Sequence, residues 1–502
     1  MLLRRTSSNL RFLAKNVRKI SVSSCVRKDV VPPEDEDPIK RTIRILKDDI
    51  KRPIQRYKNL WEEAKRESAS LEDLEVDPKK QFQSHCDVLV IGGGAMGSSA
   101  AYWLKKRARE GLNVVVVEKD PTYATASTPL SVGGLRQQFS IEENVMMSLF
   151  GAEFLRNIKQ ELGDDVDVNF NPYGYMMLAS EEGAETLIEN SKMQNELGAR
   201  NEILTAEQIK RKFPWINTEG IAVGCHGLEK EGWFDPWSLL CAFKNRAIEY
   251  GAHYTQAEVV GFQIETDETT MSPHDDFGHL QKLDKAIVKM PNGELRTIKF
   301  AICVLAAGAQ SGKIAKMANI GTGRGVLNVP LPVEPRKRFV YCFKCQGDNG
   351  PGLNTPLTID PSNTYFRRDG LGGNYIGGKS PCAHEEPNCD NLEVDHDFFD
   401  THVWPHLANR VPAFEAIKVQ NAWAGFYEMN TFDENGIIGS HPYYPNLMFA
   451  TGFSGHGIQQ SPAVGKAIME LIVDAQYMSI NLERLGFDRI IVNQPMYEAN
   501  IV

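Results

Sequence analysis

The chain has 502 residues, of which 42% are hydrophobic and 24% charged, a composition typical of a globular protein long enough for at least two domains. Its formal net charge of −9 argues against nucleic acid as a main partner. No run approaches about 18 consecutive apolar residues, so we expect no transmembrane helix, and nine scattered cysteines predict free thiols in a reducing compartment.

Residues 1–28 are basic and rich in serine, with eight lysines and arginines and no aspartate or glutamate. This composition is typical of a mitochondrial targeting segment, and a disordered basic tail is the alternative. Residues 29–84 are polar and highly charged, with an acidic cluster at 34–37. We interpret them as a charged linker or extension before the fold begins.

The next segment has the pattern of a dinucleotide-binding βαβ unit. The apolar run Val88–Ile91 predicts a buried strand, and a glycine turn with Gly92, Gly94 and Gly97 leads into a helix. A second apolar run ends at Glu118, 21 residues after Gly97. In such units the glycines permit a tight turn and a close approach to a pyrophosphate, and the acid binds a ribose. The pattern alone fits either FAD or a nicotinamide dinucleotide.

Further elements follow in a mixed helix and strand order. Predicted helices lie at 144–161, at 205–214 with a capping box from Thr205 to Gln208, and after Asp235-Pro236; predicted strands lie at 174–178, 253–262 and 299–311. Three strands run directly into glycine turns, at 88–97, 302–312 and 447–459. If these turns meet at the carboxyl edge of one sheet, they form a slot for a ligand longer than one nucleotide.

The cysteines do not predict a metal site. Cys342 and Cys345 are three apart on a predicted strand and therefore point to opposite faces. Cys382, His384 and Cys389 lie in a loop but fall short of the four ligands of a structural zinc site.

The dinucleotide unit, Ala306-Ala307-Gly308 and the GFSGHG motif at Gly452–Gly457 together resemble the glycine/D-amino-acid oxidase family of FAD-dependent oxidoreductases, over about residues 85–475. The resemblance implies an α/β fold in which a Rossmann-type FAD-binding domain is interleaved with an antiparallel-sheet substrate domain. The implied boundaries are 85–171, 232–315 and 425–480 for the FAD-binding domain, 172–231 and 316–424 for the substrate-type domain, and 481–502 for a C-terminal tail.

The resemblance also implies non-covalent FAD and a set of cofactor-binding residues. The pyrophosphate is expected at the glycine turn, the adenosine at the second strand and its neighbours, and the flavin near two later glycine segments. By region, the residues are Gly92, Gly94, Ala95, Met96 and Gly97; Glu118, Lys119, Val259, Ala307 and Gly308; and Gly133, Gly134, Gly455, His456 and Gly457.

The chain departs from the amine oxidases of this family where they bind substrate. Gln459 replaces the lysine that holds the substrate carboxylate, and Phe139 replaces an arginine, with Arg136 nearby as a substitute of unknown direction. Tyr375 occupies the position of the lysine that assists reaction with oxygen, and Phe426 occupies the position of a cysteine that tethers FAD. We therefore expect poor binding of N-methyl amino acids and no fast oxidase turnover, and the catalytic residues remain unassigned.

Longer strings, among them STPLSVGGLRQQFS, LPVEPRKRFVY and WAGFYEMNTFDENGIIG, are similar to a mitochondrial branch of the family that is associated with assembly of respiratory complex I. This resemblance implies peripheral attachment to the matrix side of the inner membrane, with complex I assembly intermediates and subunits as partners. The alternatives are an active dehydrogenase of an unidentified amine, amino acid or hydroxy acid and, on the glycine motif alone, a nicotinamide-dependent enzyme.

Overall fold

A computed structural model describes residues 82–271, 279–345 and 350–499. The predicted targeting segment, 1–28, and all but the last three residues of the predicted linker, 29–84, lie outside the described residues. The description therefore begins just before the predicted dinucleotide-binding unit, at Phe82.

The strands of the described residues form two large sheets and one short pair. Their bounds are β1 His85–Ile91, β2 Val114–Glu118, β3 Gly134–Leu135, β4 Tyr175–Ala179, β5 Asn201–Thr205, β6 Val223–Gly227, β7 Gly232–Trp233, β8 His253–Gln256, β9 Glu258–Met271, β10 His279–Lys289, β11 Leu295–Leu305, β12 Val333–Cys345, β13 Leu357–Ile359, β14 Thr364–Asp369, β15 Asn374–Lys379, β16 Ile417–Asn430, β17 Ile437–Ser440 and β18 Leu447–Thr451.

The α-helices connect these strands and cover the sheets. They are α1 Ala95–Ala108, α2 Ser127–Leu130, α3 Glu142–Arg156, α4 Ile158–Leu162, α5 Glu181–Glu196, α6 Ala206–Lys212, α7 Pro236–Glu249, α8 Ser311–Met317, α9 His396–Phe398, α10 Trp404–Arg410, α11 Gly457–Val473 and α12 Asp488–Ile491. A π-helical turn, Phe399–Val403, joins α9 to α10.

The first sheet has the order β17-β18-β11-β1-β2-β8, and β10 and β9 extend it from β11. Strands β18, β11, β1, β2 and β8 are mutually parallel. The three strands that run into glycine turns, β18, β11 and β1, are therefore neighbours, with their carboxyl ends at one edge. This is the juxtaposition on which the predicted slot depends.

Side chains of the central strands alternate between two hydrophobic cores. Val88 and Val90 of β1 pack in the core that contains α1, α3, α7 and α11, whereas Leu89 and Ile91 pack on the opposite face with β9–β11 and the segment around Leu327. A parallel strand that is covered on both faces needs apolar residues at every position. The continuous valine run Val114–Val117 of β2 meets the same requirement.

The second sheet has the order β16-β12-β15-β14-β13-β4-β6-β5. Its pairings are antiparallel except that β13 runs parallel to β4, so the expected antiparallel sheet is in fact mixed. A third core of aromatic residues packs one face of this sheet against the helical segment 396–410. The α/β fold class with two kinds of sheet is confirmed, whereas the domain boundaries given above stay a prediction.

Two helices of the first core, α1 and α11, pack directly against each other. The indole Nε1 of Trp103 donates a hydrogen bond to the Pro462 carbonyl, at 2.9 Å. A Cβ built on Gly465 would lie 2.2 Å from Ser99 Oγ, so the absence of a side chain on Gly465 allows the helices to approach this closely. Every residue from Ala95 to Lys105 is buried, as expected of a helix enclosed on all sides.

Local sequence signals locate several elements well. Thr205 caps α6 and forms the predicted capping box with Gln208, and Asp235 caps α7 by accepting a hydrogen bond from Trp237 N at 3.0 Å. The helix predicted at 144–161 is instead two helices, because α3 ends at Arg156 and α4 begins at Ile158. Among the helices of the described residues, none has the length and apolar character needed to cross a bilayer.

Candidate active site

A cavity of about 710 Å³ lies along the carboxyl edge of the first sheet, and residues of both large sheets line it. Thirteen of the fifteen predicted cofactor-binding residues border this cavity: Gly92, Gly94, Ala95, Met96, Glu118, Lys119, Gly134, Val259, Ala307, Gly308, Gly455, His456 and Gly457. Gly97 and Gly133 do not border it. Both are packed against backbone, because an added Cβ would lie 1.9 Å from the Gly92 carbonyl oxygen and 2.0 Å from the Phe234 carbonyl oxygen, respectively.

One end of the cavity is formed by the turn between β1 and α1. Gly92 has φ +99°, and a Cβ there would lie 2.4 Å from the Ala306 carbonyl oxygen, so only glycine fits. Gly94 is the N-cap of α1 and has no capping side chain of its own; Thr128 Oγ1 accepts the Ala95 N–H at 3.2 Å. The N-terminus of α1 thus borders the cavity and favours an anion there.

Glu118 lies at the end of β2, beside this turn. Its carboxylate accepts hydrogen bonds from Gly93 N at 2.7 Å and Asp120 N at 2.8 Å, which fix its orientation. The buried hydroxyl of Tyr123 also borders the cavity and has no hydrogen-bond partner among the described residues. Lys119 is largely exposed and paired with Glu258 at 2.8 Å, so its ammonium group is directed toward the surface.

A second helix N-terminus borders the cavity at the GFSGHG motif. Helix α11 begins at Gly457, with His456 as its N-cap, and no acidic residue lies in its first turn. Burial, reinforced by the nearby Arg136 cation, lowers the pKa of His456 to about 3, so its imidazole is neutral. Because arginine only donates, His456 Nε2 must accept from Arg136 Nη2 at 3.1 Å, and the ring proton is therefore on Nδ1.

Arg136 contributes a buried positive charge to the cavity wall. Its side chain is 4% exposed, and its guanidinium lies 4.9 Å from the centre of the Phe139 ring. Gln459 Oε1 accepts the Arg136 backbone N–H at 2.7 Å. Within the described parts of the chain, no carboxylate oxygen lies within 4.0 Å of the guanidinium. Arg136, considered from the sequence as a substitute for the arginine that Phe139 replaces, is among the residues that line the cavity.

The opposite wall comes from the second sheet. Arg338 borders the cavity, forms a bidentate ion pair with Glu386 at 2.9 Å for both hydrogen bonds, and stacks over the Tyr427 ring at 4.7 Å. Lys379 also borders the cavity and pairs with Glu385 at 3.0 Å. Two cavity cations are thus held by two adjacent glutamates of one loop.

Tyr375, the position predicted to replace the oxygen-assisting lysine, does not reach the cavity. Its ring packs against Phe343 and Phe414 on the helix-covered face of the sheet, and its hydroxyl donates to the Pro351 carbonyl. Lys379 of the same strand does border the cavity.

Strand β16 supplies Phe426, Tyr427 and Glu428 to the cavity. Phe426 occupies the expected position of a cysteine tether, and none of the described residues that line the cavity is a cysteine. Glu428 accepts hydrogen bonds from Gly452 N at 3.2 Å and Thr451 Oγ1 at 3.3 Å, and burial raises its pKa to about 7. Glu428, Tyr123 and Thr128 were not predicted as site residues, because no sequence motif marks them.

No metal centre accompanies this site: in the described segments, no three or more histidine, cysteine, aspartate and glutamate side chains converge to hold a metal ion. The cavity instead fits FAD. Two helix N-termini border it, a fixed carboxylate faces the adenosine end, an unpaired buried hydroxyl lies beside that carboxylate, and its volume is that of a cofactor-sized ligand site.

Comparisons with known proteins agree with this geometry. The family model described as FAD dependent oxidoreductase (DAO) matches residues 87–471. The chain is 50% identical to the Drosophila melanogaster FAD-dependent oxidoreductase domain-containing protein 1 homolog over 93% of each chain. It is 52% identical to the Xenopus laevis FAD-dependent oxidoreductase domain-containing protein 1, over 83% of this chain and 85% of that protein.

Among solved structures, L-proline dehydrogenase from P. horikoshii superposes with a TM-score of 0.68 at 26% identity, over 83% of this chain and all of that one. These similarities confirm the family resemblance that was predicted from the sequence motifs, and they do not favour the nicotinamide alternative.

Proposed function

The chain belongs to the family of FAD-dependent oxidoreductases, and from this membership we propose that it binds FAD non-covalently in the cavity and oxidises a small organic acid whose carboxylate binds Arg136. Of the amines, amino acids and hydroxy acids expected from the sequence, the amino acids and hydroxy acids carry such a carboxylate. The observation that supports this assignment is the buried Arg136 guanidinium, which borders the cavity with no carboxylate within 4.0 Å among the described residues.

The residues that would hold FAD are those at the two helix N-termini and along the strand ends. The first turn of α1 offers backbone N–H groups to the pyrophosphate, and Glu118 and Tyr123 offer an acceptor and a hydroxyl to the adenosine ribose. When bound, FAD supplies the two-electron acceptor that the chain itself lacks. The N-terminus of α11 would stabilise negative charge on the reduced cofactor, by up to about 2 kcal/mol in a partly buried site.

Arg136 would bind and orient the substrate through its carboxylate. Its cation is desolvated, and an anion in the cavity would relieve that penalty while forming charge-assisted hydrogen bonds. Neutral His456 fixes the guanidinium through Nε2 without competing for the anion, and Gln459 fixes the backbone of the same residue. The aromatic side chains of Tyr175 and Tyr427, both from the second sheet, also border the cavity and would exclude water from it.

The test is an anaerobic screen of the purified flavoprotein with paired compounds, each an amino or hydroxy acid and its uncharged amide. We expect bleaching of the flavin absorbance by a member of the acid set and not by its amide. Arg136→Gln should weaken binding of that acid by about 100-fold, because a desolvated charge pair is lost. Arg200→Gln, at an exposed ion pair with Glu229, is the matched control and should have no effect.

Two results would contradict this assignment: a flavoprotein that no acid bleaches, or an Arg136→Gln variant that binds the acid as tightly as the parent. A flavin released only by proteolysis would contradict non-covalent binding. Denaturation followed by filtration distinguishes a free from a tethered flavin.

A second function, in the assembly of respiratory complex I, is also proposed. It is supported by the basic, acid-free segment 1–28, which is typical of mitochondrial targeting, and by the long strings that resemble the mitochondrial branch of the family. The chain would act at the matrix side of the inner membrane, in peripheral contact with complex I assembly intermediates. Bound FAD would stabilise such a scaffold by mass action.

Deletion of the gene followed by complementation tests this role. We expect loss of assembled complex I on native gels, recovery with the parent chain, and co-purification of assembly intermediates. Gly94→Leu, which should exclude FAD, and Arg136→Gln, which should weaken substrate binding but keep FAD, separate the two functions. Normal complex I in the deletion strain would refute the assembly role; rescue by Gly94→Leu would show that FAD is dispensable for it.

A further inference from the structure

The carboxyl group of Glu428 lies where the three glycine turns of the cavity meet. A Cβ built on Gly457, at the start of α11, would lie 3.3 Å from Glu428 Oε1 and 3.1 Å from Met96 Cε in the first turn of α1. A Cβ built on Gly308, after β11, would lie 3.8 Å from Glu428 Oε2. A ligand that reaches from α1 to α11 therefore passes this carboxyl group.

The surroundings of Glu428 provide hydrogen bonds but no counter-charge. Gly452 N and Thr451 Oγ1 donate to Oε2, and Thr451 Oγ1 also contacts Ser311 Oγ at 2.7 Å. Across the part of the chain that the structure describes, no lysine, arginine or histidine nitrogen lies within 4.0 Å of this carboxyl group. The middle of FAD carries two phosphate charges, so an ionised Glu428 facing it would be both desolvated and repelled.

We propose that Glu428 is a cofactor-binding residue that holds the middle of FAD in its neutral, protonated form, and that FAD binding takes up one proton from water at this site. The proton bonds to a carboxylate oxygen, and the resulting O–H group donates a hydrogen bond toward the cofactor. No group is oxidised or reduced in this step. This inference depends on FAD binding and not on the substrate assigned above. Burial already raises the pKa of Glu428 to about 7, so protonation near neutral pH requires little free energy.

The other titratable groups around Glu428 do not replace it as the source of pH dependence. His456, the N-cap of α11, has a pKa of about 3 and is therefore neutral near pH 7. On β12, Pro335 is opposite Glu428, and its neighbours Glu334 and Arg336 pair with each other at 3.0 Å. Lys313 of α8 also borders the cavity, and Thr451, the last residue of β18, donates a hydrogen bond to the carboxyl group.

The test is a fluorescence titration of the FAD-free protein with FAD between pH 6 and 8. If only the protonated form binds, a group of pKa about 7 makes the Kd for FAD about tenfold larger at pH 8 than at pH 6. The Glu428→Gln variant keeps the size of the side chain and a hydrogen-bond donor, but its side chain cannot ionise. Its Kd for FAD should therefore not change with pH and should be about tenfold lower than that of the parent at pH 8.

Glu231→Gln is the matched control, because burial also raises the pKa of Glu231 to about 7 but this residue does not border the cavity. It should retain the tenfold change. Three results would each overturn the role of Glu428. They are a parent whose Kd for FAD does not change with pH, a pH dependence of the Kd that persists in Glu428→Gln, and a pH dependence that is lost in both variants.

Calorimetry of the parent in two buffers of different ionisation enthalpy needs no variant. We expect uptake of about 0.8 proton per FAD at pH 7.5, and zero uptake would also overturn the proposal. Tight FAD binding that is independent of pH would refute only the proposed protonation of Glu428. The absence of FAD binding at any pH would refute the flavoprotein function itself.

Discussion

Gly94 and Gly97 occupy the same turn, but the structure assigns them different tasks, and a pair of variants can separate them. Gly94 borders the cavity in an ordinary extended conformation, with φ −65° and ψ −169°, and a Cβ there would meet only Thr128 Oγ1 at 3.4 Å. Gly97 lies behind the turn. A Cβ there would lie 1.9 Å from the Gly92 carbonyl oxygen and 3.0 Å from Val90 Cγ1.

The two variants should therefore fail in different ways. In Gly97→Ala, α1 must move away from β1, and such overpacking costs about 1–3 kcal/mol, of which the better helix propensity of alanine restores at most about 1 kcal/mol. Because the added Cβ would meet the rigid Gly92 backbone, the cost lies at the upper end of that range. The net loss of about 2 kcal/mol lowers the Tm of the FAD-free protein by about 2 °C, given an unfolding entropy of about 2 cal/mol/K per residue. Gly94→Leu should leave that Tm within about 1 °C and weaken FAD binding by more than about 100-fold, because its side chain fills the pyrophosphate end of the cavity.

Thermal unfolding of the FAD-free proteins and fluorescence titration with FAD measure the two effects separately. Two outcomes would contradict these assignments: Gly94→Leu that binds FAD as tightly as the parent, or FAD-free Gly97→Ala that is as stable as the FAD-free parent. Gly111→Ala, with no atom within 4 Å of the added Cβ, is the control for a glycine replacement as such.

Three further outcomes are expected. Arg489→Met should lower the free energy of unfolding, measured by urea denaturation, by about 3–5 kcal/mol. The reason is that Arg489 Nε lies 2.7 Å from Oδ2 of the fully buried Asp433, and the variant leaves this carboxylate without its cation. A change under about 1 kcal/mol would contradict this. The pKa of His456 is about 3 in the folded protein, below its unfolded value of 6.5, so its contribution to stability is complete above pH 6.5 and declines as the pH falls toward 3. His456→Asn should therefore make the free energy of unfolding in urea less dependent on pH in that window, and an unchanged pH dependence would contradict this. Glu498→Ala should increase hydrogen exchange in residues 493–499, because Glu498 accepts from Ser140 N at 2.5 Å and Asn144 Nδ2 at 2.6 Å, and unchanged exchange would show that other contacts hold the segment.

Features whose signal is local in the sequence were predictable. The glycine turn before α1, the capping box of Thr205 and the helix that begins at Asp235-Pro236 depend on residues within a few positions of each other, and all appear as predicted. The meeting of three glycine turns at one sheet edge followed from a rule of α/β sheets rather than from any one residue.

Features that depend on which way a side chain points were not predictable. Arg136 and Phe139 are three residues apart, and only the packing of the chain against α11 directs the arginine into the cavity. Tyr375 packs against Phe414 on the helix-covered face of its sheet and does not border the cavity. Glu428 contacts Thr451, which is 23 residues away and in the other large sheet, and no sequence motif links these two segments.

The contact between Gly465 and Ser99 has a consequence for ligand selection. It joins α1 and α11 a few residues after each begins, so the separation of their N-termini is built into the folded chain rather than adjusted on binding. A mononucleotide fragment such as FMN or ADP can satisfy only one of these termini. The intact dinucleotide reaches both, and the second contact forms without a further loss of translational freedom. The affinity for FAD should accordingly exceed that of either half by far more than the difference in size.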